Sequence, residues 1–169
     1  LTMSFEMTDD NEIIKQCLKG FQFCTHIASH CYIEDALQTL VDSFSKFTRL
    51  RTYSTKLKQK NFQCTQALLR CALEDRDYLK GAWSIILAEC SALDKMSTNK
   101  VYITDLSIFN QLINYTISLD RESIIDFVQA LCDVTAQALV EKPPRYSMLH
   151  SLENVAVLNM DRPMIIWRE

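Results

Sequence analysis

The stretch Asp120–Pro144, DRESIIDFVQALCDVTAQALVEKPP, decides the fold class. Ile124, Phe127, Val128, Leu131, Cys132 and Leu139 recur at spacings of three and four, which puts them on one face of an α-helix. Asp120 is a helix-capping residue type at the start of that pattern. Pro143 biases Lys142 away from the α region, so the Lys142-Pro143-Pro144-Arg145 turn stops the helix.

The same period extends in both directions. Toward the N-terminus it predicts helices over about 11–31 (Ile13, Ile14, Cys17, Leu18, Phe21, Cys24, Ala28, Cys31), 34–48 (Leu37, Leu40, Val41, Phe44, Phe47), 55–74 (Leu57, Cys64, Leu68, Cys71, Ala72), 77–94 (Leu79, Trp83, Ile86, Leu87, Cys90, Leu93) and 105–118 (Phe109, Leu112, Ile113). Thr8, Asp9, Asp10 and Asn11 supply capping groups for the first of these. Beyond the proline turn comes a helix carrying Met148, Leu149, Leu152, Val155 and Asn159. Arg162-Pro163 opens another, with Pro at a favoured first position, and its apolar run reads as a final helix truncated from about 163. The helices fall into pairs starting near 11, 55, 104 and 145, close to the roughly 40–47-residue period of HEAT and armadillo repeats. The expected architecture is an all-α, HEAT/armadillo-like α-solenoid of about seven to eight helices. It forms one domain over 1–169, a piece of a longer chain.

Composition agrees. The 169 residues include only 2 Gly and 3 Pro, and every Pro lies at 143 or later, where average usage would place about twenty such residues. That scarcity excludes most all-β folds and Gly-rich nucleotide cradles. Hydrophobic residues at 48% suffice for one core. No apolar run approaches the roughly 20 residues of a membrane span, and the first residues lack the basic and apolar regions of a signal peptide. Gly81, inside a predicted helix, suggests a close approach by a neighbouring helix.

Net charge is −3, but it is unevenly spread. Between Asp42 and Glu74 no acidic residue occurs, while Lys46, Arg49, Arg51, Lys56, Lys58, Lys60 and Arg70 do. Such a belt is either a solvated inter-helix turn or a patch for anionic lipid or an acidic partner. Nucleic acid fits neither the overall charge nor any reading motif. Of seven cysteines, Cys17, Cys24 and Cys31 repeat every seven residues, as do Cys64 and Cys71. They read as buried, reduced thiols on helix stripes, and Cys132 likewise reads as buried. His26 and His30 have the i, i+4 spacing of a helical metal pair, but Cys24 and Cys31 lie on another stripe and no Glu stands between the histidines. The expected state is metal-free and cofactor-free. Carboxylate pairs such as Glu74/Asp75 fall at helix ends, where capping accounts for them. No nucleophile elbow, Walker loop, Rossmann fingerprint or kinase signature occurs, so no catalytic residue is assigned.

Four segments carry a resemblance: Lys58-Gln59-Lys60-Asn61; Asp77-Tyr78-Leu79 with Trp83; Asp126-Phe127-Val128-Gln129-Ala130-Leu131-Cys132; and Asn159-Met160-Asp161-Arg162 with Trp167. In this order and spacing they resemble the large Golgi Arf guanine-nucleotide exchange factors of the brefeldin A-inhibited family, in the first homology region downstream of the catalytic domain. The match is clearest over about 56–95 and 120–168. The junction at about 96–102 looks shorter than in relatives, and Ala82 stands where they tend to have a small hydroxyl residue. The resemblance implies a non-catalytic regulatory module that binds GTP-loaded Arf and recruits and activates the factor at trans-Golgi membranes, from the cytoplasm. It also implies contacts with other domains of the same factor and, through the belt, peripheral contact with anionic membrane. The motif residues Asn61, Tyr78, Leu79, Trp83, Asp126, Phe127, Leu131, Asn159, Arg162 and Trp167 are then expected to be structural. Two other readings stand beside this one: an intramolecular scaffold touching neither Arf nor lipid, and an unrelated peptide-binding helical-repeat adaptor.

Overall fold

The computed structural model describes residues 2–51, 57–98 and 107–162, and among them the regular structure is entirely helical. The helices are α1 (Thr2–Met7), α2 (Asn11–His30), α3 (Glu34–Thr48), α4 (Gln59–Glu74), α5 (Trp83–Thr98), α6 (Ser107–Tyr115), α7 (Arg121–Val140) and α8 (Ser147–Leu158). Short 3-10 turns cover Arg76–Tyr78, Lys80–Ala82 and Thr116–Ser118. The expected helix from about 163, Trp167 and Lys56 all lie outside the described residues.

Packing partners define two layers. Helices α2, α4, α6 and α8 pack in succession along one layer, and α3, α5 and α7 along the other, with α3 also against α2 and α4 and α7 against α8. This alternation is the solenoid expected from the paired helices, since each pair buries its stripe against the next. Between the layers lie Leu68, Trp83, Ile86, Leu87, Ile124, Phe127 and Leu131, each at most 1% exposed. Contrary to the reading of the sequence, helix α7 is long and apolar enough by composition to cross a membrane. Its Ile124, Phe127 and Leu131 are fully buried against the rest of the protein, and 44% of its most apolar window is buried.

Capping follows the side-chain chemistry. Asp10 Oδ1 accepts the backbone N–H groups of Glu12 (2.8 Å) and Ile13 (3.3 Å), and Asp120 Oδ1 accepts that of Ser123 (2.7 Å). With so few glycines, left-handed turns fall to Tyr32 (φ 56°), Arg49 (φ 55°) and Lys80 (φ 44°), each costing about 1–2 kcal/mol.

Several expectations are corrected. Helix α5 starts at Trp83 rather than 77, because the backbone turns left-handed at Lys80 and the preceding residues form 3-10 turns. Gly81 lies in one of those turns, and a Cβ there would meet only Gln38 Oε1 at 4.0 Å, so no close helix approach requires it. Cys24 and Cys31 are exposed, as are Cys132 and Ile13. A heptad falls about 20° behind the true helical repeat. The buried stripe of α2 runs through Ile14, Leu18, Phe21, Thr25 and Ala28, so Cys17 sits at its edge and the next two cysteines have rotated off it. The thiols that are buried behave as small hydrophobes: desolvation pushes Cys71 up to about 12 and raises Cys64 and Cys90 as well.

Candidate functional site

Part of the basic belt, Arg51 and Lys60, is drawn into the stack, while Lys46, Arg49, Lys58 and Arg70 stay exposed. Lys46 pairs with Asp42 one turn away (2.6 Å), and Arg49 closes α3. Arg51 Nε lies 2.9 Å from Glu89 Oε1, a carboxylate with no exposed surface that also accepts the Ser45 (2.7 Å) and Thr48 (2.6 Å) hydroxyls. Lys58 reaches Asp9 at 2.8 Å. Lys60 donates to the carbonyl oxygens of Phe5 (3.2 Å), Glu6 (3.1 Å) and Thr8 (2.8 Å), holding the negative end of α1. The two lysine ammonium groups, Lys58 first, hold Asp9 below its usual pKa. Of the described belt, Lys46 is the most solvated cation in an ion pair, with 72% of its side chain exposed.

The motif residues hold neighbouring helices in register. Asn61 is 4% exposed; its Oδ1 accepts the Lys58 N–H (2.8 Å) and its Nδ2 donates to the Phe47 carbonyl (2.7 Å), joining the start of α4 to the end of α3. Asn61→Ala leaves both backbone groups unpaired, and urea unfolding is expected to show a loss of about 2 kcal/mol. Trp83 and Phe127 meet edge to face with centroids 4.8 Å apart, and Leu79 and Leu131 are fully buried nearby in the same core. Asn159 Nδ2 donates to Thr116 Oγ1 (3.0 Å), and Arg162 donates to the carbonyls of Thr116 (3.0 Å) and Ile117 (2.5 Å). Together they fasten the end of α8 to the turn after α6.

Two motifs converge on one corner. Asp77 Oδ1 accepts the Asp120 N–H (2.8 Å), and its carbonyl accepts the Ser123 hydroxyl (2.9 Å), so the 3-10 turn after α4 docks on the N-terminus of α7. A cleft of about 530 Å³ opens there between Tyr32, Tyr78, Lys80, Glu122 and Asp126. It is acidic: burial, followed by the Glu122 charge, raises the pKa of Asp126, and Lys80 is paired with Glu34. Against the back of this corner lie His26 and His30, both facing Asp75. Asp75 was legible only as a helix-end carboxylate, because the histidines it meets are 49 and 45 positions away in the chain.

Similarity to known proteins covers nearly all of this stack. The chain is 22% identical over 242 aligned positions to brefeldin A-inhibited guanine nucleotide-exchange protein 4 of Arabidopsis thaliana, spanning 98% of the chain. It is 31% identical over 130 positions, 77% of the chain, to the ADP-ribosylation factor guanine nucleotide-exchange factor SEC7 of Saccharomyces cerevisiae.

The chain is homologous to the brefeldin A-inhibited exchange factors.

With human brefeldin A-inhibited guanine nucleotide-exchange protein 1 the identity is 33% over 88 positions, or 51% of the chain. No family model matches the sequence. The chain spans only 14% of the length of its Arabidopsis relative and 6% of the yeast one. An alignment of 242 positions against 169 residues also means that the Arabidopsis exchange factor carries inserted residues. Asn61, Leu79, Trp83, Phe127, Leu131, Asn159 and Arg162 thus join neighbouring helices, Tyr78 and Asp126 line the cleft, and Lys56 and Trp167 are the two candidates outside the described residues.

Proposed function

We propose that this chain is a non-catalytic regulatory module of an Arf guanine-nucleotide exchange factor, which binds GTP-loaded Arf and helps recruit and activate the factor at trans-Golgi membranes from the cytoplasm. The observation that carries this reading is alignment with exchange factors across 98% of the chain. A module of this kind acts by linkage: a GTPase that binds one state of the regulator shifts its population by the difference in affinity.

Pelleting on anionic liposomes bearing myristoylated Arf tests it. Binding is expected with GTP-loaded Arf and not with the GDP form, and equal pelleting in both sinks the reading. A contribution from the belt is best probed with Lys46→Glu and Arg49→Glu together. That variant should lower vesicle recruitment at low salt, with a stability loss of about 1 kcal/mol from the broken Asp42 pair and the negative charge at the end of α3. Charge reversal at Lys58 and Lys60 is less informative, because it also releases α1.

An intramolecular scaffold role is favoured by a different observation. Ile13 (43%), Phe23 (68%) and Ile27 (58%) expose an apolar strip on the outer face of α2, suited to packing against another helical region of the same exchange factor. Capture of the neighbouring domains in an Arf-independent pull-down, lost on Phe23→Asp, separates this reading from the first.

A further inference from the structure

We infer that His26, His30 and Asp75 form a binding site for a divalent transition-metal ion at the corner between α2 and α4. The two histidines are one turn apart on α2, which places their rings side by side with centroids 4.2 Å apart. Asp75, the C-cap of α4, faces both: its Oδ1 lies 2.5 Å from His26 Nδ1 and 3.4 Å from His30 Nε2. One ligand atom from each residue falls within 4.8 Å of the other two. A tetrahedral ion with ligand bonds near 2.0–2.2 Å needs donors about 3.3 Å apart. The two histidine side chains, 54% and 38% exposed, have room to close that difference.

The position of Asp75 is a second, independent argument. Its side chain is 1% exposed and stands at the negative end of the α4 dipole. A carboxylate there is costly unless positive charge compensates it. Among the described residues no lysine or arginine pairs with it; its ion-pair partners are the two imidazoles. A divalent cation supplies the missing charge and satisfies both histidine nitrogens at once. Two imidazoles and one carboxylate are donors suited to zinc, nickel, cobalt or copper rather than magnesium or calcium. The exposed imidazoles leave one side of the ion open to water or to a ligand from a partner. Tyr78 stacks on His30 at 4.1 Å between ring centroids, so a bound ion would pin α2 to the turn that forms the acidic cleft.

The test is calorimetric titration of the chelator-stripped 169-residue chain with zinc chloride, under reducing conditions, with a parallel melt. One equivalent is expected to bind and to raise the melting temperature. Cobalt(II) in place of zinc should give visible ligand-field bands without a thiolate charge-transfer band. His26→Gln and His30→Gln, both at exposed positions that leave the core intact, should each weaken binding more than about tenfold. Cys24→Ser with Cys31→Ser should leave it unchanged. Absence of stoichiometric zinc binding overturns the site, and so does binding that survives both histidine changes or disappears with the two cysteines. Neither result depends on Arf, so the outcome is independent of the regulatory reading above.

Discussion

Replacing Arg51 by Met should cost about 3 kcal/mol of folding stability at pH 7.5, because it leaves the Glu89 carboxylate buried without a counter-charge. Glu89 projects from α5 toward α3, where the Ser45 and Thr48 hydroxyls donate to it and the guanidinium lies at 2.9 Å. Desolvation raises its pKa above the ordinary value, against the opposing pull of the Thr48 and Ser45 hydrogen bonds and of Arg51. The sign for pH follows. A carboxyl whose folded pKa is raised binds its proton more tightly when native. It therefore contributes stability below the unfolded value, and that contribution is lost as pH rises through the folded pKa. Without Arg51 the pKa rises further, so the variant should weaken steeply between acid and neutral pH. Urea unfolding at pH 5 and 7.5 is expected to show a gap from the parent that widens with pH. Adding Glu89→Gln to Arg51→Met should recover much of the loss and flatten the pH response. Equal stability of parent and Arg51→Met at both pH values would show that the pair carries no such weight. The same experiment bears on the belt: a recruitment defect in an Arg51 variant would arrive with unfolding, whereas one in a Lys46 variant should not.

How much of this was legible beforehand depends on the reach of each interaction. Helices α2, α3 and α7 read directly from apolar spacing because their buried stripes are long and continuous, whereas α8 buries only Met148 and Val155 and is marked out by the proline turn before it. Helix α1 is not legible in the sequence, since its six residues bury one large aromatic, Phe5, and are held by Lys60 from 52 or more positions away. The start of α5 was misplaced for a related reason. Asp77 has the residue type of an N-cap, yet its carboxylate serves the N–H of Asp120 in another repeat. Charge behaved similarly: the run of lysines and arginines is evident in sequence, but Asp9 and Glu89, which neutralise much of it, become neighbours only on folding. Of the candidate metal site, the His26/His30 pair is a local pattern and Asp75 is not. Asn61, Trp83, Phe127 and Asn159 are readable as parts of strings, whereas the contacts by which they fasten adjacent helices form only between repeats.

Trp83→Ala should be the most damaging single change in the stack, with an expected loss of about 4 kcal/mol. Trp83 opens α5, is 1% exposed and meets Phe127 of α7 edge to face at 4.8 Å. The residue lies in one core with Leu79, Ile86, Phe127 and Leu131, so removal of the indole opens a cavity among their side chains. Rigid helices collapse poorly into such a space, which keeps the cost above that of a site that can close around the gap. Trp83→Phe separates volume from polarity. Among the described residues the indole Nε1 has no hydrogen-bond acceptor, and an unpaired buried donor costs about 1–3 kcal/mol. Phe removes that donor while keeping most of the ring contact with Phe127, so the two effects offset and the net change should stay within about 1.5 kcal/mol. Denaturant titration of the two variants gives the comparison, with melting points expected to fall by more than about 10 °C for Ala and by a few degrees at most for Phe. A loss below about 2 kcal/mol for Trp83→Ala would mean that α5 and α7 can repack without the indole. The two layers would then be held together by contacts other than that between Trp83 and Phe127.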